Sequence, residues 1–230
     1  MSAIAIVYYS GYGHTARLAE AVREGAQSVP GSRVSVHAID PEGNLSEASW
    51  QALEEADAIV YGSPTYMGGP AWQFKKFADA TAKAWFVQRW KDKVAAGFTN
   101  SASVNGDKFA TIAYFFTLSQ QHGQLWVGTG LLPANSRANG PADVNWSGGF
   151  AGVLAISPSD ATADEAPRGG DLQTARRPGA RGGPPGGGGP PGFPTPRGAR
   201  VWGWGATALK TPGPRRGFSA GAHSTGGAGT

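Results

Sequence analysis

The chain has 230 residues, no cysteine and a formal net charge of +4, which excludes a disulfide framework, a thiolate nucleophile and a Cys-ligated metal while leaving room for one or two domains. The charge is unevenly placed: residues 177–230 carry seven Lys+Arg and no carboxylate, so residues 1–176 hold thirteen Lys+Arg against sixteen Asp+Glu, and nucleic-acid binding by this mildly acidic body loses its main support. The N-terminus lacks a basic n-region with a small-residue cleavage motif, and no apolar run is long enough to span a bilayer, so the expectation is a cytoplasmic protein with no membrane partner.

Residues 3–9 are apolar almost throughout and read as a parallel-type strand covered on both faces. Thr15 to Ser28 predicts a helix with Leu18, Ala19, Val22 and Ala26 on one side. Arg33 to Ile39 alternates as a second strand, Ser46 to Glu55 gives a short helix, and Asp57 to Gly62 is a third strand entering the loop 63–70. A helix from Ala71 to Lys83 turns Phe74, Phe77 and Ala78 inward. Val94 to Thr99 is a fourth strand, running into a polar loop that ends at Gly106. Lys108 to Gln121 is a helix and Gln124 to Val127 a fifth strand. Residues 130–149 show little periodicity, Val153 to Ile156 is a short apolar piece, and Gly170 to Arg176 begins a last helix. Alternating strands and helices argue for a parallel sheet with helices on both faces.

The first strand feeds Ser10-Gly11-Tyr12-Gly13-His14-Thr15, and this loop opens a helix. Backbone N–H groups at a helix N-terminus make an anion site, to which Ser10 and Thr15 can each add a hydroxyl donor. The loop has no lysine, so it is not the Gly-x-x-x-x-Gly-Lys-[Ser/Thr] type that grips a triphosphate. It suits a terminal monophosphate, and flavin mononucleotide (FMN) is the leading candidate. In an open parallel sheet the ligand sits at the carboxyl ends of the strands. The loops 10–15, 63–69 and 99–106 all end there, and all are small and polar.

Tyr8-Tyr9-Ser10-x-Tyr12-Gly13-His14-Thr15, taken with Gly62-Ser63-Pro64-Thr65-Tyr66-Met67-Gly68, resembles the flavodoxin-like tryptophan-repressor-binding-protein family of NAD(P)H:quinone oxidoreductases. The resemblance covers residues 1 to about 176. It implies a doubly wound, five-stranded parallel sheet of order 2-1-3-4-5 and FMN as cofactor. It also implies that Ser10 to Thr15 hold the phosphate and that Pro64, Thr65, Tyr66, Met67 and Gly68 border the isoalloxazine. The family has arginine and phenylalanine where this chain has Tyr66 and Met67. The family's next ring-side loop is glycine-rich; here Asn100, Ser101, Ala102 and Ser103 lead to a single glycine, Gly106. His122, before Gly123, matches a flavin-side histidine. Trp85 matches an aromatic lining the nicotinamide and quinone slot, which Tyr12 also borders. A homo-tetramer or dimer is the implied assembly.

Plainer readings stand beside these. His122 can cap its helix, His14 can leave its side chain in solvent, and Trp85 and Trp90 can be packing residues. Asp57 and Asp79 read as structural, and Lys75, Lys76, Lys91 and Lys93 as a solvated face. No His/Asp/Glu cluster has metal spacing, and no nucleophile–base pair stands out, as expected if a cofactor carries the chemistry. The expectation is a two-electron transfer from NAD(P)H to a quinone; the alternative is a flavodoxin-type electron carrier. From Arg177 onward Gly and Pro make up 26 of 54 residues. This composition reads as a disordered tail that breaks the last helix, of the kind that out-of-frame reading of GC-rich DNA yields. Arg181-Gly182-Gly183 is one RGG triplet, a weak nucleic-acid signal.

Overall fold

The computed structural model describes residues 1–177. The expectations for the Gly/Pro-rich tail and its RGG triplet lie outside the described residues. The first strand, β1 (Ser2–Tyr8), is an interior strand of the sheet, one in from the β2 edge. Ile4, Ala5, Ile6 and Val7 are all buried, as a strand covered on both faces requires. It pairs in parallel with β2 (Ser32–Ala38) on one side and β3 (Ala58–Tyr66) on the other. The connection to β2 is the helix α1 (His14–Gln27); α2 (Glu47–Glu55) leads to β3.

The strand β3 continues through Ser63, Pro64 and Thr65, residues expected to form a loop. It folds back on a two-residue strand, β4 (Gly69–Pro70). Met67 and Gly68 are the central residues of this hairpin, with φ of 48° and 81°. Two positive φ angles are what a tight turn between right-twisted strands needs. The expected single helix after it is two, α3 (Trp72–Ala80) and α4 (Ala82–Phe86), separated at Thr81, whose hydroxyl donates to the Ala78 carbonyl.

The next strand, β5 (Val94–Ser101), pairs in parallel with β3. The helix α5 (Lys108–Gln121) follows, and then only two strand residues, β6 (Leu125–Trp126). The strand beside β5 is assembled from two pieces. The piece β6 pairs with Val94 and Ala95, while β7 (Val153–Ile156) pairs with Phe98 to Ser101. Phe98 already meets Gly62 of β3 on its other side, so β7 shares β6's side of β5. The sheet therefore runs β2-β1-β3-β5 and then the split strand, with residues 127–152 inserted into it. Seven strands replace the expected five, but the doubly wound order is the expected one.

The last helix, α6 (Gly169–Arg176), is two turns long. It packs beside α1 so closely that a Cβ on Gly25 would lie 2.5 Å from the Arg176 carbonyl oxygen. These two helices cover one face of the sheet, where Leu18, Val22, Leu172 and Ala175 meet Ile4, Ile6, Val60 and Phe98. The other face is covered by α2, α3 and α5, through Leu53, Phe74, Phe77, Ile112 and Phe115. Phe74 and Phe115 pack at 4.7 Å between ring centres, tilted by 51°, with Tyr61 of β3 against both.

Candidate functional site

The turn after β1, the hairpin after β3 and the turn after β5 converge at the carboxyl end of the sheet. Pro64 lies opposite Asn100 in the register of β3 and β5, which brings the second and third loops side by side. Thr15 joins the first loop to the third: its hydroxyl donates to Asn100 Oδ1 at 2.6 Å. Thr65 shares hydroxyl hydrogen bonds with Thr99 at 2.9 Å and Thr111 at 2.8 Å, tying β3, β5 and α5 together beneath the loops. Gly11 lies against the Tyr66 ring, where a Cβ would come within 2.8 Å of the phenol oxygen. Tyr12 meets Tyr66 edge-on at 6.3 Å. Burial pushes the Tyr66 phenol up to about 12, so it stays protonated at neutral pH. Gly68, Ala102 and Ser103 are exposed, and Met67 is fully exposed at the hairpin tip.

At the start of α1, Gly13 is left-handed and no side chain caps the helix from that position. Ser10 does the work instead: its Oγ accepts from the Gly13 N–H at 3.1 Å and the Ala16 N–H at 3.2 Å. Both acceptor sites are then filled and its own proton is left to donate outward. Among the described residues, the N–H groups of Tyr12, His14 and Thr15 have no acceptor. The expected second hydroxyl donor is corrected, because the Thr15 proton is committed to Asn100 and the residue is buried. His14 differs from its solvent-facing expectation too. Its Nδ1 pairs with the Ala166 carbonyl at 3.0 Å, and Arg17 donates to the Ala163 carbonyl at 2.9 Å. These bonds strap residues 157–168 beside the loop.

Within one chain His122 and Trp85 do not join this cluster. His122 ends α5 just before β6, which pairs with the first residues of β5, so it lies at the amino end of the sheet. Six strand residues, about 20 Å, separate that level from Asn100. The structure brings His122 and Trp85 to one cleft of about 340 Å³, lined also by Lys75, Asp79, Tyr114 and Gln121. The Thr81 hydroxyl, which already donates to Ala78, accepts from His122 Nε2 at 2.8 Å. That leaves Nδ1 as a buried acceptor without a partner. Burial lowers the His122 imidazole to about 4, so it is neutral near pH 7. Trp90 is fully buried against it, at 4.6 Å between ring centres.

Two lysines depart from the sequence reading. Lys93, expected on a solvated face, donates to the carbonyls of Leu53 and Glu54, and burial lowers it to about 8. Lys108, which sequence reasoning passed over, is buried under the loop after β5 and donates to Ser101 Oγ and the carbonyls of Ser103 and Val104. The one signal for it was a lone cation opening an otherwise apolar helix. Among the described residues no group of three His, Asp or Glu can hold a metal ion, and no helix is long and apolar enough to cross a membrane.

The sequence pattern of the family described as Flavodoxin matches residues 6–114. Flavodoxin FldP of Pseudomonas aeruginosa is 52% identical over 181 residues, which span 79% of this chain and 95% of that protein. A protein named NAD(P)H dehydrogenase (quinone), from Geobacter sulfurreducens, is 35% identical over 143 residues, 54% of this chain and 70% of its own length. Among solved structures, a flavodoxin, WrbA-like protein from Agrobacterium tumefaciens superposes with a TM-score of 0.60 at 50% identity, covering 76% of this chain and 91% of that one.

Proposed function

Because the chain belongs to the flavodoxin family, we propose that residues 1–176 bind FMN and pass two electrons from NAD(P)H to a quinone. The observation that carries the cofactor is the start of α1, where unpartnered N–H groups and the outward Ser10 proton surround a lysine-free turn. Uncharged donors at a helix N-terminus fit a monophosphate dianion. Gly11 and Gly13 keep the turn close: a Cβ at Gly13 would come within 2.7 Å of the Ala163 side chain. In this reading Ser10 to Thr15 hold the phosphate. Pro64 to Gly68 and Asn100 to Ser103 border the ring system, largely through backbone groups.

Bound FMN supplies hydride acceptance and release, and the chain's residues bind and orient it. The Thr65–Thr99–Thr111 hydroxyl chain fixes the floor, Tyr66 packs over Gly11, and Tyr12, 77% exposed, borders an open face where a nicotinamide or quinone can stack. His122 and Trp85 reach a ring only when a second copy presents its cleft, so their proposed roles require a homo-oligomer. The 35% identical relative named NAD(P)H dehydrogenase (quinone) supports this reading.

The 52% identity to Flavodoxin FldP favours a second reading, an electron carrier without turnover of its own. Reconstitution with FMN and an assay of NAD(P)H-dependent benzoquinone reduction separates the two. Multiple turnovers support the reductase. Tight FMN binding without turnover, with reducing equivalents taken up singly in a dithionite titration, supports the carrier. Failure to bind micromolar FMN overturns both.

A further inference from the structure

Lys108 is 1% exposed although it carries a charge. Its ammonium donates to Ser101 Oγ at 2.9 Å, the Ser103 carbonyl at 2.7 Å and the Val104 carbonyl at 2.8 Å. Those are all the protons an ammonium has, and each goes to one short loop. A cation inside a loop draws the loop's carbonyls inward. A trans peptide carries its C=O and N–H on opposite sides, so the N–H groups of Val104 and Asn105 point away from Lys108. Among the described residues neither has an acceptor. Gly106, at φ +55°, closes the turn tightly enough that a Cβ there would lie 2.0 Å from Ser101 Oγ. The loop adjoins Asn100, which Thr15 ties to the phosphate turn.

We propose that Lys108 is a positioning residue that winds the loop 101–106 around its ammonium and thereby presents the Val104 and Asn105 amides as paired donors to the carbonyl-bearing edge of the flavin ring. The inference rests on the FMN reading above. It also accounts for a loop with one glycine where the resembling family has several: the buried cation holds the carbonyl orientation that a glycine-rich backbone reaches by conformational freedom. The amides and the cation behind them stabilise the negative charge the ring gains on reduction. Asp171 of α6 is the charged side chain acting on Lys108 among the described residues, and burial outweighs its attraction, lowering the ammonium to about 8. A neutral amine has two protons for three acceptors, so the loop loosens as pH rises through that value.

The test titrates FMN by flavin fluorescence from pH 7 to 9 against the wild type, Lys108→Met and Lys108→Arg, with midpoint potentials from dye equilibration. Methionine keeps the aliphatic stem and removes the charge. The wild-type Kd is expected to weaken about fivefold over that range, as it approaches the tenfold limit set by the uncharged side chain. Lys108→Met is expected to bind about tenfold more weakly at pH 7, with a flat pH profile and a more negative potential; Lys108→Arg is expected to recover part of each. A folded Lys108→Met protein with wild-type affinity, pH profile and potential overturns the proposal. If that variant does not fold, a wild-type affinity constant from pH 7 to 9 overturns it equally. A wild type that binds no FMN at any pH defeats the cofactor reading instead.

Discussion

Ser10 and Thr15 carry the same functional group and use it in opposite directions. Ser10 accepts two N–H bonds and keeps its proton; Thr15 spends its proton on Asn100. Residue identity and spacing located a glycine-rich turn opening a helix but not the direction of a hydroxyl proton, which depends on a partner 85 positions away in sequence. Lys108 was illegible for the same reason, since its acceptors are carbonyls that any residues supply. His122 and Asp171 oppose each other in acid. Burial raises the Asp171 carboxyl to about 6, so the charge it carries above that pH opposes folding and the fold gains as pH falls from 6 to about 4. The His122 imidazole is held low, at about 4, so the fold loses stability as pH falls from 6.5 towards 4. Each effect is worth about 3 kcal/mol at its limit, and they offset in the wild type. Urea unfolding at pH 7 and 4 should show Asp171→Asn losing roughly that much more on acidification than the wild type, and His122→Leu losing less. A smaller prediction concerns Met67, a side chain held at φ 48° in the hairpin tip. Met67→Gly should stabilise the fold by about 1 kcal/mol through relief of left-handed strain, read as a higher denaturation midpoint.

At the scale of elements, β1 was legible from its unbroken apolar run, and the inward residues of α1 and α3 because each helix keeps one period over its length. The split strand was not. Two residues at β6 and four at β7 are too short to show a period, and nothing local says that both lie against β5. The hairpin at Met67-Gly68 was hidden by its composition, which reads as loop although Ser63 to Tyr66 are still paired as strand. Close packing of α6 on α1 makes a specific prediction at Gly25. Alanine there gains helix propensity of up to about 1 kcal/mol, but its Cβ meets backbone of Arg176, which must shift. We expect Gly25→Ala to destabilise the fold by about 1–3 kcal/mol, with amide-exchange protection lost first in α6. An unchanged melting temperature would show that α6 yields without cost.

Across the whole molecule, the loop cluster and the side-chain cleft are at opposite ends of the sheet. The loop cluster lies at the carboxyl end of the sheet, and the His122–Trp85 cleft at the amino end. A family resemblance follows the order of residues along the chain, not their distance in space, so the single-chain geometry separates residues that the sequence reading grouped. The helix α6 closes the α1 face: Leu172 and Ala175 cover it, and Asp171 and Thr174 accept from the N–H groups of Ile156 and Asn145. A chain stopped after Arg168 should therefore lose its cooperative thermal transition, followed by circular dichroism, because Ile6, Val60 and Phe98 lose their cover on one side. The split strand also has a consequence in time. On the ribosome Phe98 emerges well before Val153, its eventual neighbour. Until the 127–152 insertion has been synthesised, the upper half of β5 has no strand on its outer side, and an unpaired strand edge is where nascent chains pair with one another. The yield of folded protein should then depend on how fast translation crosses that insertion, a cost set during biosynthesis rather than by the finished fold.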